Sequence, residues 1–599
     1  MTRTEDKVDK ENMKKERDEE KSDNKILKEI RKYALQNAVL HDGKANPKAV
    51  LGKILGKNKE LRNKAKELLE QCNLIVEEVN KLSVEEQKRE LEQEAPELLE
   101  RKKQKKDLPE LPNAEIGKVV TRIPPEPSKY NHIGHALSFL INYLYAKKYK
   151  GKCVLRFEDT NPETSKQEYV DAMKQDVLEY LDIKPDKIVF VSDDMPRFYE
   201  LAEDLIKRGH AYVCSCPREK MQELRKKGIP CECRSKPVEK NLEEWHKMIN
   251  REFKEGERVL RLKIDMKSKN YVMRDPVIFR INYTPHYRQG TKYCVYPMYD
   301  FENAVEEEFC GVTHILRSAE FGKMRIELQN YIKDLFGFKK QTVVQYGRFN
   351  IVGAVTQGRV IRQLIQEGKV LGWDDPSLVT LRALRRRGIQ KETYYELARI
   401  VGLSPTPTNI DWSVIASINR RILDPITKRF FFINEPVRIR IKDAPEQELK
   451  IRMHPDNDLG VRSFKVKDEF FITRKDYERL EDGKIYRLME CLNFKKQGDE
   501  FIFDSIEYEN YKEKQKESGS LIMHWLPADK ENEEKLIKVK VFTPEHEFIT
   551  GIGEEALKEV KQGEVVQFER FGFVRFDHSE NKEGKEKGKE TMVFWFTHK

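Results

Sequence analysis

Four groups of residues in the 599-residue chain have the types and spacing to do chemistry. The first is His132-Ile133-Gly134-His135, two imidazoles around a glycine where an amphipathic segment begins. Free N–H groups and the helix dipole favour an anion at such a helix start, and Gly134 lets a nucleotide approach the backbone. The competing reading is a surface loop with two chance histidines. The second group is Glu158 and Asp159 at the end of the apolar run CVLRF. Carboxylates at the carboxyl end of a strand lie where open α/β sheets bind ligands. The third is Cys214 and Cys216 with Cys231 and Cys233, two Cys-x-Cys pairs separated by fourteen residues. Four thiolates suit tetrahedral zinc and leave no open position for water, so a metal held there is structural; idle buried thiols are the alternative. The fourth is Arg382, Arg385, Arg386 and Arg387 around one short helix. That density fits a phosphate backbone, or simply a solvated charged face.

These groups need elements to hold them. Val119–Tyr149 reads as a β-branched strand, a proline-rich turn and a helix with apolar residues at Ile133, Ala136, Leu137, Leu140 and Leu144. Strand-helix alternation continues through the CVLRF run and helices at 166–181 and 196–208, the pattern of a parallel, doubly wound sheet. A β-rich stretch at 258–301 and two further helical segments follow. Beyond about Arg420 the pattern becomes all-β, with RFFFI, VRIRI, FKVKDEFFI, EFIFDSI, LIKVKVF and EVVQFERFGFVRFD separated by turn residues. Strands mixing Phe and Tyr with Arg and Lys suit stacking on single-stranded nucleic acid, although core aromatics explain many of them equally well. Ahead of the sheet, 25–100 is helical and has few candidate catalytic groups. ERKKQKKDLPELPN reads as a linker. Residues 1–24 have little to bury and read as disordered, and the tract NKEGKEKGKE at 581–590 reads as a floppy hairpin tip.

Composition narrows the classes further. Hydrophobic residues make up 38% and charged residues 36% of the chain. No run approaches the ~18 apolar residues of a spanning helix, and the first 24 residues lack the apolar segment of a secretory signal. Nine cysteines, four of them clustered, point to a reducing compartment and a metal rather than disulfides. The expected location is cytoplasmic. A net charge of +10 permits a polyanionic partner.

Read in order, the segments TRIPPEPSKYNHIGHA, LRFEDTNP, RDPVIFRI, YPMYDF, GVTHILR, GWDDPSLVTLRALRRRGI, INRRILDPITKRFFFI and ERFGFVRFD…WFTHK form a signature. From about residue 25 onward the chain resembles the archaeal-type class I glutamyl-tRNA synthetases, which are close to glutaminyl-tRNA synthetases. The resemblance implies a multidomain α/β fold. Its parts would be a helical domain and linker (25–112), a Rossmann catalytic domain (113–345) with an acceptor-binding insertion at about 209–290, a helical stem-contact region (346–420) and two anticodon-binding β-barrels (421–599). It implies ATP with Mg²⁺, activation of L-glutamate as an adenylate, and transfer to the 3′ end of tRNA(Glu), with tRNA(Gln) a further expected substrate. His132 and His135 would donate to phosphates. Arg122, Glu126, Glu158 and Tyr299 would line the amino-acid and ATP pocket. Arg317 would choose glutamate, because a buried guanidinium pairs with a γ-carboxylate and not with an amide. A separate, non-enzymatic reading, compatible with the others, takes 25–100 as a docking module for other translation factors.

Three departures stand out. Gln357-Gly358 occupies the place of the Ser-Lys core of the family's second signature, and Val360 replaces a later lysine, leaving Arg359 and Arg362 as expected substitutes. Ser128-Lys129 replaces a usual Asn-Gly, which makes Lys129 a third expected source of positive charge toward the phosphates, and Leu137 stands where lysine is common. The alternative reading is therefore a synthetase-like tRNA-binding protein with impaired catalysis.

Overall fold

The protein is described by a computed structural model over residues 26–39, 43–57, 64–95, 108–518, 521–580 and 590–599. The charged tail expected over 1–24, the basic half of the linker, and all but the final residue of the tract 581–590 lie outside them. Two compact units divide between Asp107 and Leu108.

The first unit is helical: 26–39, Pro47–Lys57, Ala65–Val79 and Val84–Glu94. Ile30, Leu35, Val50, Ile54, Leu68, Val76 and Leu91 form its core. Ser83 and Glu86 close a capping box. Gln87 is buried with its amide donating to the carbonyls of Gly43, Val79 and Leu82 at 2.8–3.1 Å.

In the second unit the strands Val120–Ile123, Lys152–Phe157 and Lys187–Phe190 run parallel, with the first strand at one edge. A second parallel pair, His314–Ser318 and Thr342–Tyr346, continues from that edge, where the Thr313 amide donates to the Val120 carbonyl at 2.9 Å. The strand order reverses between the first strand and its new neighbour, the switch point where open α/β sheets open a crevice. Helix Ile133–Lys148 packs there with nearly every side chain buried.

Between the two strand sets lies an antiparallel sheet of Ala211–Cys214, Val259–Leu262, Val277–Ile281 and Val295–Pro297. Helices Met195–Lys207 and Val238–Ile249 cover it around Phe198, Trp245 and Phe279. This layer is wider than the 209–290 that the resemblance implies. Helix Met195–Lys207 and strand Val295–Pro297 share its core and its hydrogen bonds. Likewise, the helices Leu381–Arg386, Lys391–Val401 and Trp412–Leu423 are not a separate body. Leu381, Leu384, Tyr394, Leu397 and Ile415 pack into the same core as the parallel sheet.

The C-terminal region holds two seven-stranded sheets. In one, Arg429–Phe430 pairs with Val565–Phe568 at one edge and Phe432–Asn434 pairs with Phe548–Gly553 at the other, so a single segment closes the sheet into a barrel. The other barrel centres on Phe431, Phe464, Phe470 and Trp525.

Candidate active site

The strand Val120–Ile123 gives way to the proline-rich turn, and His132 becomes the N-cap of the next helix. His132 Nδ1 accepts the Gly134 amide at 3.0 Å, and the His132 amide donates to His135 Nδ1 at 3.1 Å. This reciprocal cap satisfies backbone donors that a helix start leaves orphaned. A Cβ on Gly134 would sit 2.9 Å from the His132 ring, so the folded-over imidazole requires glycine. Burial, helped by Lys129 and Arg348, pushes His132 down to about 3. Burial, with His132 and Lys129, holds His135 well below its ordinary value. Both rings are therefore neutral near pH 7. Because each Nδ1 accepts an amide proton, each ring carries its own proton on Nε2. The result is two uncharged N–H donors lining one cleft.

The turn is held from behind. Ile133 donates to the Val379 carbonyl at 3.1 Å, and Leu381 donates to that of Asn131 at 2.9 Å. Asn131 also donates its side-chain amide to buried Asp176 at 3.1 Å.

The cleft has a volume of about 630 Å³. On its floor Glu307 accepts from Arg122 Nε at 2.9 Å and from both terminal nitrogens of Arg156 at 3.3 Å. Arg156 also binds Glu158 at 2.9 Å, and Asn303 adds a bond to Glu158 at 3.1 Å. An alternating ladder of charges, Arg122–Glu307–Arg156–Glu158, thus begins and ends at the cleft wall. Glu302 lines the same wall beside Thr160. Burial and the neighbouring Glu158 push its carboxyl well above the usual range. Glu126, at the mouth, is pushed up by desolvation and by Glu158.

Arg317 comes from the strand His314–Ser318 and is 4% exposed. Its Nη1 donates to Gln329 at 3.0 Å, while buried Nε and Nη2 have no hydrogen-bond partner among the described residues. Tyr299 stands beside it, stacked on Phe321 with ring centroids 5.6 Å apart, and its hydroxyl is pushed up by burial. A buried guanidinium with two unmet donors is a site for a carboxylate.

Comparison with known proteins places the whole chain in a family. The family model described as tRNA synthetases class I (E and Q), catalytic domain, matches residues 118–425. Anti-codon binding domain models of the same class match 427–507 and 522–577. A glutamate–tRNA ligase of Pyrococcus furiosus is 45% identical over 568 residues, covering 92% of this chain and 97% of its own. The glutamate–tRNA ligases of Thermococcus kodakarensis and Methanocaldococcus jannaschii are 42% and 41% identical, with 92% of this chain and 98% and 97% of theirs covered. The chain belongs to the class I (E and Q) tRNA synthetases.

In this synthetase the expected site residues divide. His132, Gly134, His135, Arg122, Glu126, Glu158, Tyr299 and Arg317 all line the one cleft. Arg359 and Arg362 do not. Both are exposed on helix Gly358–Gln366, and Arg362 lies beside Tyr169. Arg348 and Lys129 line the cleft instead. Arg348 was not legible in the sequence, whereas Lys129 was marked by its departure from Asn-Gly.

The arginine cluster also divides. Arg382 and Arg385 face solvent over the rings of Tyr130 and Tyr180. Arg386 binds both oxygens of Asp577, at 2.8 and 2.7 Å, and Asp374 at 2.8 Å. Arg387 is 5% exposed and donates to the carbonyls of Pro376, Phe596 and Thr597 at 2.9–3.3 Å. The last two are internal fasteners rather than members of a phosphate-facing cluster, because their donors are already used.

The four cysteines meet as expected from their spacing. Their sulfurs lie within 4.8 Å of one another, with Cys214 and Cys231 3.8 Å apart. A tetrahedron with Zn–S bonds of about 2.3 Å places its sulfurs about 3.8 Å apart, so Cys214, Cys216, Cys231 and Cys233 fit zinc. No helix among the described residues is long and apolar enough to cross a membrane.

Proposed function

We propose that this synthetase is a glutamate–tRNA ligase. The α-carboxylate of L-glutamate attacks the α-phosphorus of MgATP, an O–P bond forms, and pyrophosphate leaves with the electron pair of the broken bond. A terminal ribose hydroxyl of tRNA(Glu) then attacks the glutamyl carbonyl, and AMP leaves. The protein's share is positioning and the stabilisation of phosphate charge. His132 and His135 offer neutral N–H donors to phosphate oxygens. Glu158, held by Arg156 and Asn303, receives the substrate ammonium, and Arg122 steadies that wall through Glu307.

The observation that carries the reading is Arg317, a buried guanidinium whose Nε and Nη2 are unmet. A γ-carboxylate satisfies both charge and hydrogen bonds there. A glutamine amide would leave the cation uncompensated, at a cost of about 3 kcal/mol or more. The barrels beyond residue 427 are proposed to read the anticodon, and Arg382 and Arg385 to contact tRNA phosphates. Cys214, Cys216, Cys231 and Cys233 are proposed to hold a zinc that staples the antiparallel layer and takes no part in the reaction. The helical unit at 26–95, which contributes no cleft residue, is proposed as a contact site for translation factors.

The test is aminoacylation of separate tRNA(Glu) and tRNA(Gln) transcripts, with Arg317→Ala alongside the wild type. Glutamate charging of tRNA(Glu) is expected, falling about 10²–10³-fold in kcat/KM for the variant. Charging of tRNA(Gln) with glutamate would extend the range to both acceptors. A purified protein that charges neither transcript refutes the reading.

A further inference from the structure

Five cationic side chains of lysine or arginine line the cleft: Arg122, Lys129, Arg280, Arg317 and Arg348. Four are engaged by hydrogen bonds or ion pairs, Arg122 with Glu307, Arg280 with Asn161, Arg317 with Gln329 and Arg348 with Glu320. Lys129 is the fifth, and it makes no hydrogen bond or ion pair among the described residues. Glu126 and Glu320 attract its ammonium from a distance. Burial, together with Arg348 and Arg362, outweighs them and lowers its proton affinity. A half-buried ammonium surrounded in this way lacks a negative partner, and a polyanion in the cleft would supply one.

The stem of Lys129 also explains a neighbour. A Cβ built on Gly358 would sit 3.1 Å from Lys129 Cδ, 3.4 Å from Lys129 Cβ and 3.8 Å from Trp373. Gly358 opens the helix Gly358–Gln366 without a left-handed φ, so its backbone does not call for glycine. The Lys129 stem is what a side chain at 358 would meet first, and it would have to give way by a few tenths of an ångström to admit one. Lys129 also shares a wall with the histidine donors, since its charge is felt at both His132 and His135.

We infer that Lys129 is a catalytic residue of the activation step, with its ammonium holding the pyrophosphate as it leaves, and that Gly358 is the space its stem requires. As the bond between the α-phosphorus and its bridging oxygen breaks, the electron pair moves onto the pyrophosphate, and Lys129 N–H donors meet that growing charge without transferring a proton. This inference rests on the ligase reading. It makes the cleft complete without a lysine on the 357–360 turn.

The two steps of the reaction separate the role. Glutamate-dependent ATP–pyrophosphate exchange, measured with tRNA(Glu) present, should fall roughly 10²–10³-fold in Lys129→Met. Transfer from separately prepared glutamyl-adenylate to tRNA involves no pyrophosphate and should remain within threefold of wild type. Lys129→Arg should retain more exchange than Lys129→Met. Lys129→Ala combined with Gly358→Lys should recover at least tenfold over Lys129→Ala alone, because the ammonium re-enters the same volume from the other side. The inference is overturned if Lys129→Met exchanges within threefold of wild type, if it loses transfer as severely as exchange, or if the double variant gains nothing. A wild-type protein with no glutamate-dependent exchange refutes the ligase reading and this inference with it. Normal wild-type exchange with an unaffected Lys129→Met refutes this inference alone.

Discussion

Replacing Glu307 with glutamine keeps its shape and removes the charge that holds the cleft floor together. Burial alone would push this carboxyl up. The charges and hydrogen bonds of Arg122 and Arg156 more than reverse that and hold it at about 2, against 4.5 for an ordinary glutamate. The difference of about 2.5 pH units corresponds to roughly 3 kcal/mol. That agrees with the ~3–5 kcal/mol expected when one partner of a buried ion pair is removed. The sign follows from the direction of the shift. A carboxyl with a depressed folded value contributes its full stability above about pH 4.5 and loses it as the pH falls toward 2. At pH 7 the variant should therefore lose the whole amount, and the gap to wild type should narrow below about pH 4.5.

Amide hydrogen exchange in the strand Lys152–Phe157 is the appropriate assay, because it reports this layer rather than the helical unit or the barrels. Protection there should drop roughly a hundredfold. With Arg122 and Arg156 left without their shared anion, Arg156 no longer holds Glu158 in a fixed position, and KM for glutamate should rise about tenfold. Protection within threefold of wild type at pH 7, with an unchanged KM, would show that the ladder does not hold the site as reasoned.

Further outcomes follow from the same geometry. His132 and His135 are neutral with depressed values, so neither should add an ionisation to the rate of adenylate formation between pH 6 and 9. Their burial as neutral rings adds stability that declines as the pH falls through about 6.5 toward 3, because the unfolded chain then binds more protons; acid titration followed by unfolding midpoints checks this. Cys231→Ser should abolish binding of about one equivalent of zinc and lower the melting temperature of the antiparallel layer while leaving cleft residues in place, read by metal analysis and calorimetry. Arg382→Ala and Arg385→Ala should each reduce the salt dependence of tRNA binding by about one unit of slope. Arg387→Met should leave that slope unchanged and cost about 3 kcal/mol of stability, since it strips three buried carbonyls of their donor.

What the sequence reveals depends on how local the determinants are. The histidine turn, its strand and its helix lie within about thirty residues, and their spacing discloses both the cap and the anion-binding character. The cysteine pairs are similarly self-contained. Arg348 is invisible at that level because its position depends on Phe349–Ile351 pairing with Thr408–Ile410, far away in the chain. The arginine cluster is a mixed case. Helical geometry separates adjacent residues by about 100°, so Arg386 and Arg387 cannot share a face, and that much was available from spacing. That Asp577 captures Arg386 across 191 residues was not. The exposure of Arg359 and Arg362 likewise depends on which side of helix Gly358–Gln366 meets the core, where Gly358 and Ile361 are the buried residues.

Residues 379–387 have one further consequence. At one end this segment bonds to Asn131 and Ile133 of the histidine turn, and at the other Arg386 and Arg387 are fastened to Asp577, Phe596 and Thr597 of a C-terminal barrel. That barrel is therefore not an interchangeable cassette. A graft from a relative would have to bring the carboxylate that Arg386 binds and a backbone that presents its carbonyls to Arg387, so recombination at the 425–427 boundary should succeed best between parents that share the carboxylate. Separate inheritance of catalytic core and barrel is constrained by a seam of nine residues.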